Sequence, residues 1–275
     1  MCQIKLEVLC ECLLKRCGMI GFCPLASGSK GNALYVGTKH TKVLIDAGLS
    51  ARMIKKKLEE INVDLADIDA IVITHEHTDH IRGLAILGCK MGIPVFANSD
   101  TARAIYENIG DAPKFKIFST GEKFEFGDIE FDPFSIQHDA MDPVAFTLRL
   151  DSVKLGICAD LGFATSLVAN KLQECDYLYL EANHQVEMVH SCPRPAIYKQ
   201  RVLGRLGHLS NVQAAELLLQ LLHPKLKHVH LAHLSSECNV PELAEKTIRE
   251  MLMKQKSDVE VAIAHQDQVS HKILW

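Results

Sequence analysis

One short segment constrains this chain more than any other: Thr74-His75-Glu76-His77-Thr78-Asp79-His80. It follows directly on an apolar run of strand character, Ala70 to Ile73, and precedes a helical run from about Ile81 to Met91. Where a buried strand ends, the next side chains leave the sheet edge and enter a crevice. His75 and His77, two residues apart, then point to the same side. Asp79 and His80 sit on the turn into the helix and face a second point close by. Three imidazoles with the Asp79 carboxylate suit borderline-soft divalent cations.

The rest of the chain alternates strands and helices from Gly21 onward. Ala33 to Gly37, Lys42 to Asp46, Ala70 to Thr74 and Pro94 to Ala97 read as strands. Ser50 is placed to cap a helix carrying Ile54, Leu58 and Ile61 on one face, and Ser99 to cap another through Ile105 and Ile109. Lys114 to Cys158 is mostly strand. Within it Val144, Phe146, Leu148 and Leu150 alternate with period two, the pattern of a half-buried antiparallel strand. Alternation then returns: strand Asp176 to Glu181, helix Ala214 to Leu222 behind the capping box Ser210-Asn211-Val212-Gln213, strand Lys227 to Ala232, helix Pro241 to Met253 and strand Val259 to Ala264. No Pro/Gly/Ser tract or charge block divides the two strand-rich halves. The expectation is one α/β domain over residues 19–275, with two mixed sheets packed face to face and helices on both outer surfaces. Residues 1–18 are expected to be an extension, either disordered or, with a start at Met19, not translated. Within it, Cys10-x-Cys12-x4-Cys17 matches no common structural zinc spacing.

Composition excludes several classes of function. The 275 residues carry 30 basic and 34 acidic side chains, a formal net charge of −4, so indiscriminate binding to polyanions is not expected. No apolar run approaches the roughly 20 residues needed to cross a bilayer. The chain has 10 Cys, and the order of charged and apolar residues from Met1 to Ile20 is the wrong one for a signal peptide, so a reducing, cytoplasmic setting is expected. Cys158, two residues from Asp160, is expected to act as a small buried hydrophobe and not as a nucleophile. The 14 His raise the prior for metal ligation.

Further candidate ligands stand at other strand ends. Asp46 closes Lys42 to Ile45, His138 closes Ile129 to Gln137, Asp160 closes Val153 to Ala159, and His233 closes His228 to Ala232. One site at the edge of a sheet sandwich requires such a set. His228 and His230 share the strand with His233. His233 is preferred because it lies at the strand end and shares the face of Val229 and Leu231.

Taken in order, Asp46, His75-x-His77-x-Asp79-His80, His138, Asp160 and His233 resemble the five motifs of the metallo-β-lactamase superfamily, over Gly21 to about Ala264. More narrowly the chain resembles the YycJ/WalJ family. The strings are Leu25 to Asn32, Asp46 to Ser50, His138-Asp-Ala140 with Asp142-Pro143, Glu181 to His184 with Val186 to Met188, Gly207 to Asn211, and Leu231 to Ser235. The resemblance implies an αββα sandwich holding two divalent ions, Zn²⁺ or Mn²⁺. His75, His77 and His138 would hold the first metal, and Asp79, His80 and His233 the second. Asp160 would bridge them, and Asp46 would orient ligands from behind. Such a pair supplies a bridging hydroxide at neutral pH, with Asp79 indispensable to turnover.

The metals alone do not choose among phosphodiester, thioester and amide substrates. The stretch from Met188 to Ala215 leans toward a phosphodiester: it lacks Asp and Glu and carries Arg194, Lys199, Arg201 and Arg205 with Tyr198. A basic segment with an aromatic suits a nucleic-acid backbone. His208, just before the capping box, is expected to contact the scissile phosphate or to protonate the leaving oxygen. The Ser27-Gly-Ser-Lys-Gly-Asn32 turn is expected to offer backbone N–H groups to a phosphate. The family resemblance implies hydrolysis of DNA from 5′ ends. Alternatives from the same fold are a thioesterase-type small-molecule hydrolase, an RNA nuclease and an oxygen-reducing di-iron protein; a non-catalytic DNA-binding protein comes from another class.

Overall fold

Two strand-rich halves close on each other through a shared apolar layer in the computed structural model, which describes residues 18–275. Cys2, Cys10, Cys12 and Cys17, and all of the expected extension except Gly18, lie outside the described residues.

The first sheet sets β1 (Gly21–Ala26), β2 (Ala33–Gly37), β3 (Lys42–Ile45), β4 (Ala70–Val72), β5 (Val95–Ala97) and β6 (Phe115–Ile117) side by side in chain order. β1 to β3 are antiparallel, and β3 to β6 run parallel. Parallel neighbours need crossovers. These are α1 (Ala51–Glu60), α2 (Thr78–Ile81) with the π-helical turn Ala85–Lys90, and α3 (Ser99–Ile109). The second sheet orders β7 (Phe124–Phe126), β8 (Ile129–Ser135), β9 (Val144–Leu150), β10 (Val153–Cys158), β11 (Tyr177–Glu181), β12 (His228–Ala232) and β13 (Glu260–Ile263). Its first four strands form an antiparallel meander and the rest run parallel. Its connections are α4 (Ser166–Leu172), then α5 (Val186–Ser191), α6 (Ala196–Leu203) and α7 (Asn211–Leu221), then α8 (Pro241–Lys254). The C-terminal β14 (Ile273–Leu274) pairs antiparallel with β1.

Three apolar layers hold these elements. Phe22, Val36, Ile45, Phe131, Phe146, Ile157 and Tyr179 fill the gap between the sheets. Leu44, Ile71 and Val95 pack under Ile54, Leu58 and Ile105 of α1 and α3. Leu178, Leu180, Val229 and Leu231 pack under α4, α7 and α8. The result is the expected αββα sandwich. No helix among the described residues is long and apolar enough to cross a membrane.

Three local expectations change. β9 is antiparallel but not half-buried: Ala145 and Thr147 are buried as well, and only Arg149 is exposed, because helices cover its second face. The α3 cap is Asn98, whose Oδ1 accepts from Thr101 N at 2.9 Å, so Ser99 is already helical. The expected helix from Ile81 to Met91 starts earlier and is interrupted. Gly83 N donates to Ala47 O at 2.7 Å, which takes that donor out of the helical ladder, and the chain resumes as the π turn.

Candidate metal centre

Strand parity alone would put three of the expected site residues on the wrong side. Leu44, Cys158 and Leu231 face the helices, and Asp46, Asp160 and His233 each follow two residues later. All three adopt left-handed backbone, with φ of 63°, 56° and 53°. That breaks the alternation and turns each side chain into the gap between the sheets. His233 therefore does not share the face of Val229 and Leu231, as expected from period two. Such non-glycine residues cost about 1–3 kcal/mol each and persist where the surroundings over-determine them.

The surroundings are visible around the histidine-rich turn. β4 ends at Val72, and Asp46 receives the turn: Oδ1 accepts Thr74 N at 2.9 Å and Oδ2 accepts Thr74 Oγ1 at 2.9 Å. Asn32 N donates to Asp79 O at 2.7 Å, and Ala47 N donates to His80 O at 2.7 Å. Gly48 lies directly beneath, where a Cβ would come within 1.5 Å of Asp79 O.

Five imidazoles meet here, and each is held by its outer nitrogen. His80 Nδ1 donates to Asp46 Oδ2 at 2.8 Å, and His233 Nδ1 donates to Glu181 Oε1 at 3.0 Å. His138 Nδ1 donates to Gly207 O at 3.2 Å, and His77 Nε2 donates to Asp139 O at 3.2 Å. Thr74 gives its proton to Asp46, so its oxygen accepts from His75 Nδ1 at 3.0 Å. The second nitrogen of every ring turns inward, where a metal ligand needs it. Burial would push His80 and His233 down, but the carboxylates facing them, Asp46 and Asp160 at His80 and Asp160, Asp79 and Glu181 at His233, push both up, so these two rings hold protons that a cation would displace.

Those inward atoms group into two sets. Ligand-capable atoms of His75, His77 and His138 lie within 4.8 Å of one another, and so do those of Asp79, His80 and His233. Asp160 stands between them, its Oδ2 3.1 Å from His80 Nε2 of the second set and its Oδ1 3.8 Å from His138 Nε2 of the first. Two buried atoms, Asp160 Oδ2 and His233 Nε2, have no hydrogen-bond partner. Orphaned buried polar atoms are rare and costly. Inward ring nitrogens, orphaned atoms and converging carboxylates together fit divalent cations.

Electrostatics point the same way. Burial would raise the Asp160 carboxyl, yet His233 and His80 hold it well below the ordinary range. Burial would likewise raise Glu181, but His208 and His233 hold it at about 2. The four carboxylates Asp46, Asp79, Asp160 and Glu181 thus converge where the cavity wall carries one permanently charged cation among the described residues, Arg201. Besides Arg201, protonated His80 and His233 supply positive charge, and divalent cations would supply more in their place.

The mouth of the site is a cavity of about 240 Å³ bounded by His77, Asp79, His138, Tyr198, Arg201 and His208. His208 Nδ1 lies 2.8 Å from Glu181 Oε1, so its Nε2 is left toward the cavity. Arg201 Nε donates to Asp139 Oδ2 at 2.6 Å, closing α6 against the loop after His138. The other basic residues singled out in the sequence do not line this cavity. Arg194 is paired with Glu237, Lys199 Nζ donates to His190 O at 2.6 Å, and Arg205 stacks over Phe163 at 4.3 Å. Of the amides in the Ser27 to Asn32 turn, Gly28 N is spent on Asn32 Oδ1, Lys30 N on Gln266 Oε1 and Gly31 N on Gly28 O, while Ser29 lines the cavity. Cys158 is fully buried, and burial pushes its thiol up.

Sequence reasoning passed over Glu181, the carboxylate that links His208 to His233. It ends the apolar strand Tyr177–Glu181, the same strand-end signal that singled out Asp46. It also missed Thr74 as the relay to Asp46, and Asp139, whose only signal was its place beside His138.

Residues 41–231 match the family described as the beta-lactamase superfamily domain. The chain is 38% identical over 234 residues to the exodeoxyribonuclease YycJ of Bacillus anthracis, covering 84% of this chain and 88% of that one. It is 40% identical over 228 residues to the exodeoxyribonuclease WalJ of Streptococcus pneumoniae, covering 82% and 85%. Among solved structures, the metallo-β-lactamase fold protein YhfI of Bacillus subtilis superposes with a TM-score of 0.69 at 15% identity, over 92% of this chain and 98% of that one. At that identity the likeness shows the fold.

Proposed function

This chain belongs to the metallo-β-lactamase superfamily, with the exodeoxyribonucleases YycJ and WalJ as relatives, and from that membership we propose that it is a metal-dependent exonuclease that hydrolyses DNA phosphodiester bonds from 5′ ends. It would work as a single catalytic domain in the cytoplasm. The observation that carries the reading is the set of five imidazoles, each anchored by one nitrogen and turning the other inward, around Asp160.

His75, His77 and His138 would hold one divalent ion, Asp79, His80 and His233 a second, and Asp160 both; Zn²⁺ and Mn²⁺ each suit this donor set. When bound, the two ions make water acidic enough to attack at neutral pH and neutralise the charge that grows on the phosphate. Arg201, at the cavity wall, takes a phosphate oxygen in exchange for Asp139. Guanidinium–phosphate pairing favours this exchange over an exposed ion pair. Arg194, Lys199 and Arg205, on and beside α6, extend a basic flank for the backbone beyond the cavity. His208 keeps its Nδ1–H on Glu181 and presents Nε2, from which it protonates the leaving oxygen. Glu181 fixes the ring's tautomer and faces it with a negative charge.

Digestion of 5′- and 3′-labelled DNA and RNA, with metal content measured on the same preparation, tests the reading. Loss of the 5′ label as mononucleotide from DNA, dependent on bound metal, is the expected result. Hydrolysis of thioesters with no cleavage of either nucleic acid would overturn it.

A further inference from the structure

Beside the metal centre, across Leu234 and Ser235, the surface opens into a second cavity of about 600 Å³. It lies at the carboxyl ends of β12 and β13, between the turn leading into α8 and the turn at 263–268, where sheets of this kind bind ligands. Its volume falls within the range of small-ligand sites, roughly 300–1,000 Å³. Leu234, Val240 and Pro241 give it an apolar wall, and Ser235, Ser236 and Gln268 give it neutral hydrogen-bonding groups. No Lys or Arg lines it among the described residues, and its one carboxylate, Asp267, is paired with Lys30 at 4.0 Å. The two adjoining cavities therefore differ in character. The first, with Arg201 and the residues that would hold the ions, suits a phosphate; the second offers an apolar wall and neutral hydrogen-bonding groups, which suit an uncharged planar ring with hydrogen-bonding edges.

We propose that the cavity formed by Leu234, Ser235, Ser236, Val240 and Gln268 receives the base of the nucleotide at the scissile phosphate. This rests on the nuclease reading above. The ring lies against Val240 and Pro241, and the Ser235 and Ser236 hydroxyls and the Gln268 amide meet its edge. The phosphate stays in the first cavity, so the pair of cavities sets which bond faces His208.

Calorimetric titration of the metal-loaded chain with thymidine 5′-monophosphate and with 2-deoxyribose 5-phosphate separates base from phosphate binding. The nucleotide is expected to bind about tenfold more tightly or better, roughly 1.4 kcal/mol. Val240→Trp, at a position 43% exposed, and Ser236→Trp, also exposed, each fill the cavity and should bring that ratio toward one. Thermal melts establish that each variant is folded. A wild-type ratio near one, or a ratio unchanged in both folded variants, overturns the proposal. If DNA is still cleaved in that case, the base cavity alone falls; if the wild type cleaves no DNA, the nuclease reading falls with it.

Discussion

At the scale of single residues, the site depends on groups whose positions cost energy. Asp46, Asp160 and His233 sit in left-handed backbone, and Asp46 repays its place by holding Thr74 and His80 together. Asp46→Asn keeps the shape and removes the charge. Metal affinity should fall about 10- to 100-fold, as it does when outer-shell carboxylates are neutralised; chelator competition measures it, and unchanged affinity would show that Asp46 only braces the turn. Asp79 lies 3.7 Å from His80 Nε2 and 3.8 Å from His233 Nε2. Asp79→Asn should abolish turnover on a 5′-labelled duplex. Normal rates in that variant would refute its place among the ligands.

At the scale of elements, the histidine-rich turn is built by its neighbours. The loop from Asp46 to Ser50 runs under α2, and Gly48 allows the two backbones to touch. Gly48→Ala would force Asp79 and His80 away from Asp160. The expected outcome is lower thermal stability together with weaker metal binding, seen as a lower Tm and a chelator midpoint shifted to lower concentration. A variant with wild-type metal affinity would show that the turn holds its shape without this contact. The broken helix after Ile81 belongs to the same arrangement, since Gly83 gives its amide to Ala47 and not to the helix.

At the scale of the whole molecule, the site joins the two sheets. Asp46, His75, His77, Asp79 and His80 come from the first sheet's edge, and Asp160, Glu181 and His233 from the second. Stripping divalent ions should leave four converging carboxylates balanced mainly by the protons that His80 and His233 take up. A chelator is therefore expected to lower Tm by several degrees, reversibly, by loss of ligand that binds only the folded chain. A Tm indifferent to chelation would argue against cations at this seam. In the middle of β12, His230 stacks edge-on to Phe22 and gives Nε2–H to His271 O at 2.9 Å. Burial, with His228 beside it, pushes His230 down to about 3. The unfolded chain takes up a proton near 6.5 that the folded chain refuses. Stability present above that pH is lost as pH falls from about 6.5 toward 3, by up to roughly 1.4 kcal/mol per unit for this one group. Denaturant melts of wild type and His230→Phe across pH 7 to 5 should differ in slope by that proton. Parallel curves would show that His230 titrates alike in both states.

Much of this was legible in the sequence because local patterning is periodic. Alternating apolar runs and caps such as Ser50 and Ser210 located the layers, and seven His and Asp residues near strand ends marked the seam. Three features required the folded molecule. Period two sends Asp46, Asp160 and His233 to the helix-covered face; only long-range hydrogen bonding makes the left-handed turn that brings them back. Glu181 looked like the end of a strand until His208 and His233 converged on it from elsewhere in the chain. The basic residues near α6 were equal in sequence, and packing alone placed Arg201 on the cavity wall while Arg194 and Arg205 turned to Glu237 and Phe163. Sequence fixes which groups are available and the period at which they recur. The direction in which a side chain finally points depends on partners distant along the chain, and those exist only once the sheets have closed.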